Sequence, residues 1–163
     1  MKKIFSILML CLSMAAHGES TVEIIAFRHA EKLGGNDPGL TEQGIARAAR
    51  LAEVLAAYEP THLYSTDYAR TQATIAPLAE AISIDVQSYN PRELQAFADQ
   101  LRETPGVHVV SGHSNTTPQL VAALGGDPGE GISEDYYDAL YVVRICGDKV
   151  KTERLDQSGL LQQ

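Results

Sequence analysis

Short apolar runs of strand length alternate along the chain with longer stretches in which apolar residues return every three or four positions. Residues 21–27 (TVEIIAF) read as a buried strand, and residues 33–40, rich in Gly, Asn, Asp and Pro, as a loop. Thr41 is placed to cap a helix in which Ile45, Ala48, Ala52, Leu55 and Ala56 recur at helical spacing, so that one face packs on a sheet. A second strand is expected over 61–64, a second helix over 68–81 with Pro77 a candidate kink, and a third strand over 82–86. Residues 92–102 predict a third helix that Pro105-Gly106 stops, and 107–110 a fourth strand. Thr117 as N-cap, with Pro118 at the first helical position, opens a helix through Leu124. Residues 140–145 and 150–155, separated by Gly147-Asp148, read as a closing hairpin.

Strands alternating with helices predict an α/β fold: a single three-layer α/β/α domain whose sheet is largely parallel, with an antiparallel hairpin at its edge. Ligands of such sheets bind just past the carboxyl ends of the strands. There the first strand runs into Arg28 and His29, the second into a segment ending at Arg70, and the fourth into His113. Ionisable groups at the mouth of a buried strand are unfavourable unless something pairs with them. Singly, each is more often a satisfied structural group or a solvated face. Together they repel one another, with Glu31 and Asp67 as the nearby counter-charges, and so call for an anion. A tetrahedral phosphoryl group fits best, because guanidinium forks bind its oxygens in pairs and stay charged. One imidazole can then attack phosphorus while the other steadies developing charge.

Composition adds a compartment and removes some partners. Met1-Lys2-Lys3, an apolar run over 4–12 and small residues at Ala15, Ala16 and Gly18 predict a secretory signal peptide over 1–18, leaving 19–163 as the mature domain. The product is expected to be exported, periplasmic or secreted, without stable membrane insertion after cleavage. The chain carries a net charge of −8, and loss of Lys2 and Lys3 deepens it to −10. Such a surface repels nucleic acid, so no nucleic-acid partner is expected, and any anionic ligand needs a local cationic site. Cys146 would be the one cysteine left, expected as a small core residue rather than half of an internal disulfide.

The blocks Phe27-Arg28-His29-Ala30-Glu31, then 65–74 (STDYARTQAT), then Val110-Ser111-Gly112-His113-Ser114-Asn115 resemble, in order, the successive motifs of the histidine phosphatase (phosphoglycerate mutase-like) superfamily. Ala30 stands where glycine is commoner. The resemblance implies a phosphomonoester hydrolase acting on a small phosphorylated substrate without cofactor or metal, with His29 as the phosphorylated nucleophile and Arg28, Arg70 and His113 as the phosphate pocket. It also implies a general acid, for which Glu93 is the candidate and Glu31 the runner-up; Glu93 could equally be an acidic residue favoured in a helix's first turn. Asn115 is a candidate phosphate contact. The alternatives are a phosphohistidine protein phosphatase, a non-catalytic phosphate-binding module, and a metallohydrolase built on His29 and His113, which the flanking arginines disfavour.

Overall fold

The computed structural model describes residues 21–160; the expected signal peptide lies outside them. The chain runs β1 (Thr21–Arg28), α1 (Glu42–Ala56), β2 (His62–Ser65), α2 (Ala69–Ile82), β3 (Val86–Ser88), α3 (Leu94–Glu103), β4 (Gly106–Gly112), α4 (Thr116–Ala123), β5 (Ala139–Cys146), β6 (Lys149–Asp156) and the short α5 (Gln157–Leu160). The strands form one sheet in the order β3-β2-β4-β1-β5-β6. β3, β2, β4 and β1 are parallel, whereas β5 and β6 add as an antiparallel pair at one side. None of the helices in the described residues is long and apolar enough to cross a membrane.

β1 shows why the domain has three layers. Successive side chains of a strand point to opposite faces, so β1, apolar at every position from Ile24 to Phe27, needs cover on both. Ile24 and Ala26 join Val110, Tyr141, Phe97, Leu101, Leu120 and Val121, the core under α3 and α4. Ile25 and Phe27 join Leu63, Val109, Leu51, Leu55, Ile75 and Leu78, the core under α1 and α2. Each such side chain contributes roughly 1.5–3 kcal/mol on burial.

Four expectations are corrected. Residues 82–86 are not a strand: α2 continues to Ile82 and ends at Ser83 in the left-handed region (φ 56°), and β3 begins only at Val86. Ile82 and Ile84 still pack against the α1–α2 core, so their alternation imitates a strand while serving a helix end. Thr117 is not the N-cap of α4. Asn115 holds that place, because the His113 N–H donates to the Thr116 hydroxyl and the Thr117 N–H donates to the His113 carbonyl, which tightens the turn early. The face of α1 is set by Ala48, Leu51, Ala52 and Leu55, while Ile45 is 59% exposed. The Thr41 cap is present, its hydroxyl accepting from the Gly44 N–H at 3.1 Å. α2 is assigned as helix through Pro77, and Cys146 is half-buried at the end of β5 rather than in the core.

Candidate active site

The register of the two central strands pairs Arg28 with Gly112, so the residues that follow, His29 and His113, leave the sheet as neighbours. The His29 N–H donates to the Gly112 carbonyl at 2.9 Å, and the two imidazoles meet edge to face with centroids 5.7 Å apart. His29 Nδ1 lies 2.8 Å from the Ala30 carbonyl oxygen. A carbonyl can only accept, so the proton sits on Nδ1 and Nε2 presents its lone pair. Burial pushes the His29 pKa down to about 4, and Arg28, Arg70 and Lys32 press in the same direction. The ring is therefore neutral at pH 7. α2 steadies its loop: the Ala30 N–H donates to the Thr74 hydroxyl (2.9 Å), which donates to the Arg70 carbonyl (2.7 Å).

His113 has the opposite tautomer. Its Nε2 lies 3.0 Å from the Thr66 hydroxyl, which lies 2.8 Å from the Thr71 hydroxyl. Thr71 spends its proton on the carbonyls of Thr66 and Tyr68, so Thr66 donates to Thr71 and can accept only from His113 Nε2–H. His113 Nδ1 is left with a lone pair facing Arg70 Nη2 at 3.4 Å. Burial, then Arg70, His29 and Arg28, lower its pKa to about 4.

The two arginines supply the cation. Arg28 is 1% exposed, and its Nη1 donates to the carbonyls of Ser133 (3.0 Å), Glu134 (3.0 Å) and Tyr136 (3.2 Å), while the Tyr137 ring covers the guanidinium at 4.2 Å. Arg70 lies over Tyr68 at 4.5 Å, with Nη1 3.6 Å from Asp37. Asp37 also accepts the Ala69 N–H at 2.9 Å, capping α2 where Tyr68 offers no side-chain cap. Arg28 Nε and Nη2 and Arg70 Nε are buried and donate to no protein acceptor. Buried N–H groups normally find partners, and charged ones demand them more strongly. These orphaned donors, on two guanidiniums beside a bare imidazole nitrogen, fit the oxygens of a bound anion.

Arg28, His29, Arg70 and His113 thus come together as the strand ends predict, and Asn115 lines the same cavity of about 620 Å³ in front of His29. Glu93 does not. It is exposed at the N-cap of α3 and faces a separate groove with Tyr89, Ala96 and Gln100. Glu31 is also turned away, its carboxylate gripped by Arg47 through Nε (2.9 and 3.1 Å) and Nη2 (2.8 Å). Arg47 Nη1 continues to Asp138 at 2.5 Å and to Gln157 at 3.3 Å, so one guanidinium ties the loop after β1 to the start of β5 and to α5. The approach is close: a Cβ at Gly44 would lie 2.1 Å from the Glu31 carbonyl oxygen, so only glycine fits there.

The carboxylate that does line the cavity is Glu134, which the sequence did not single out. It accepts from the Ser114 hydroxyl at 2.5 Å and lies 3.6 Å from Arg28 Nη2. The Ser114 bond holds its pKa below the usual carboxylate value, with Arg28, His29 and Lys32 contributing. The Tyr137 ring stacks on Arg28.

A sequence profile described as histidine phosphatase superfamily (branch 1) matches residues 14–95. No curated protein matches the sequence. Among solved structures, the chain is similar to a mycobacterial glucosyl-3-phosphoglycerate phosphatase, at 14% identity and a TM-score of 0.66, covering 83% of this chain and 98% of that one. It is similar to the protein histidine phosphatase SixA complexed with tungstate, at 15% identity and a TM-score of 0.68, covering 85% and 99%. It also resembles a phosphoglycerate mutase from Bacillus anthracis str. Sterne, at 13% identity and a TM-score of 0.72, covering 90% and 99%.

Proposed function

The chain belongs to the histidine phosphatase superfamily, and on that premise we propose that it hydrolyses phosphomonoesters through a phosphohistidine formed on His29. The observation that carries this reading is the bare, neutral Nε2 of His29 set beside guanidinium donors that no protein atom satisfies. In the first step Nε2 bonds to phosphorus as the bond to the leaving oxygen breaks. Arg28 and Arg70 hold the equatorial oxygens, which carry more charge at the transition state. The Ala30 carbonyl steadies the Nδ1–H as the ring becomes cationic. His113 takes up a proton on Nδ1 as the anion enters, because the anion opposes the burial and arginine fields that kept the ring neutral, and it then donates to a phosphoryl oxygen.

Glu134 is the proposed proton carrier at the leaving side. It is ionised before substrate arrives, so its proton comes with the monoanionic ester, whose second ionisation lies near about 6. That proton passes through Glu134 to the leaving oxygen. Water then attacks phosphorus, Glu134 accepts its proton, and phosphate leaves as Nε2 regains its lone pair. Residues 1–18 act in this reading as a cleaved signal that exports the domain.

A second reading, a phosphatase for phosphohistidine in proteins, is supported by one feature: none of the cavity carboxylates is held protonated, and a protonated phosphohistidine loses a neutral imidazole without an acid. Glu134→Gln separates the two. It should lower kcat on alkyl monoesters by about 10²-fold if Glu134 carries the proton. On a phosphohistidine peptide it should change little.

The decisive experiment mixes the purified domain with a ³²P-labelled alkyl phosphate and quenches in alkali, where phosphohistidine survives. Label on His29 that disappears on acid treatment is the expected result. Undiminished turnover by His29→Ala, or turnover with no trapped label under burst conditions, would overturn the mechanism.

A further inference from the structure

Two arginines of the molecule hold their carboxylates with different firmness. Arg47 and Glu31 are each 12% exposed in the side chain and meet at 2.8 Å, so parting them would leave two charges unpaired away from water. Arg70 and Asp37 stand 3.6 Å apart, beyond the roughly 2.7–2.9 Å of a charge-assisted hydrogen bond, and the Asp37 side chain is 45% exposed. That pair can part at little cost. Asp37 is nevertheless the one carboxylate within ion-pair distance of Arg70 among the described residues.

Asp37 keeps its place without Arg70. Its Oδ1 accepts the Ala69 N–H at 2.9 Å, in the first turn of α2, so the carboxylate is tethered to backbone. Its own backbone lies in the left-handed region (φ 49°), which Asp enters more readily than most residues. The base of its loop is closed by the bridge between Lys32 and Leu40 and by the Leu33 N–H donating to the Gly39 carbonyl at 3.0 Å. Arg70, in turn, points two ways. Nη1 faces Asp37, while Nη2 faces His113 Nδ1 at 3.4 Å and the buried Nε has no protein acceptor. A guanidinium drawn toward a tethered carboxylate holds an incoming anion less tightly than one with no rival beside it.

We propose that Asp37 is a competing counter-ion for Arg70, which loosens the hold of the pocket on inorganic phosphate and so speeds departure of the product. The proposal rests on the phosphatase reading, which makes phosphate the departing anion. Asp37 is not among the residues lining the cavity before His29, so it acts through Arg70 and not on the substrate.

Asp37→Asn isolates the charge, because Asn caps a helix as well as Asp does and also tolerates a left-handed φ. Calorimetric titration with inorganic phosphate should give a Kd lowered by about two- to fivefold, the range of a partly exposed ion pair. KM for an alkyl phosphate should fall alongside it, and kcat should not exceed that of the parent, since tighter product leaves more slowly. Asp37→Ser, a second uncharged cap, should reproduce the change. Raising salt should narrow the gap to the parent. In an Arg70→Ala background the same substitution should move phosphate affinity far less. A residue that merely positioned Arg70 would give the opposite sign, with Kd and KM raised on its loss. An unchanged or raised Kd in the folded variants, or a gap that persists in Arg70→Ala, would overturn the proposal, while turnover and label on His29 left the phosphatase reading standing. A lowered Kd with no turnover and no alkali-stable label would remove the phosphatase reading and leave the counter-ion in place.

Discussion

The sheet carries a pair of histidines at each end, and the pairs behave differently. At the carboxyl ends of β1 and β4, His29 and His113 meet edge to face beside two guanidiniums with unmet donors. At the amino ends of β2 and β4, His62 and His108 are register partners whose rings stack at 4.8 Å and 16°. His108 is fully buried, its Nε2 2.8 Å from the Thr104 carbonyl, and burial lowers its pKa as it does those of the other pair. Around it are Tyr64 and, beyond that ring, Phe97. In residue type, burial and direction of the pKa shift His108 is like His29 and His113. What separates the two pairs is the second ring of charge: arginines whose donors want oxygen in one place, aromatic faces in the other.

Exchange of function between the pairs would break this contrast. His29→Ala should lower kcat by at least about 10⁴-fold with the fold retained, whereas His108→Ala should lower stability by about 2–4 kcal/mol and leave kcat within a few fold. Steady-state turnover and denaturant melts on both variants check it, and a large kinetic defect in a folded His108→Ala protein would contradict it. Arg70→Ala should come next, lowering kcat/KM by about 10²–10³-fold with KM raised and kcat reduced together, because the clamp holds the phosphoryl group before and during transfer. A change in melting temperature alone would reduce Arg70 to a structural role.

The smallest expected effect concerns pH. His29 and His113 titrate near 4 in the folded protein against 6.5 for an ordinary histidine, so between those values the unfolded chain binds more protons. Stability is therefore full above about pH 6.5 and is lost as pH falls toward 4. His108 adds to the same trend. Inorganic phosphate should blunt the loss belonging to His113, which gains its proton with the anion, and leave that of His108 untouched. Melting temperatures from pH 7 to pH 4.5, with and without phosphate, in the parent and in His108→Phe, separate the two contributions. Equal curves with and without phosphate would rule out proton uptake by His113.

The strand ends that gather Arg28, His29, Arg70 and His113 are legible in the sequence, because a buried apolar run ending abruptly in charge is a local signal. The cap at Thr41 and the hairpin about Gly147-Asp148 are equally local. What stayed hidden depends on long-range placement. Glu134 sits in a loop without periodicity, 106 positions from the arginine it faces, and only the closed sheet brings them together. Glu93 misled for the converse reason: its interval in the chain suits an acid, but the N-cap of α3 turns it toward another groove. The third strand was misplaced because Ile82 and Ile84 alternate like strand residues while Ser83 takes a left-handed turn that sequence alone rarely announces.

β1 lies in the middle of the sheet, flanked by β4 and by β5. Its two edges are therefore completed by segments that begin at Gly106 and at Ala139, and the Arg47 tie from Glu31 is finished only at Gln157. During synthesis His29 is thus made well before the segments that fix it in place. A chain stopped after α3 would hold an apolar strand with no neighbour on either side, and the loop of His29 would gain its fixed place only once β4, β5 and Gln157 had been added.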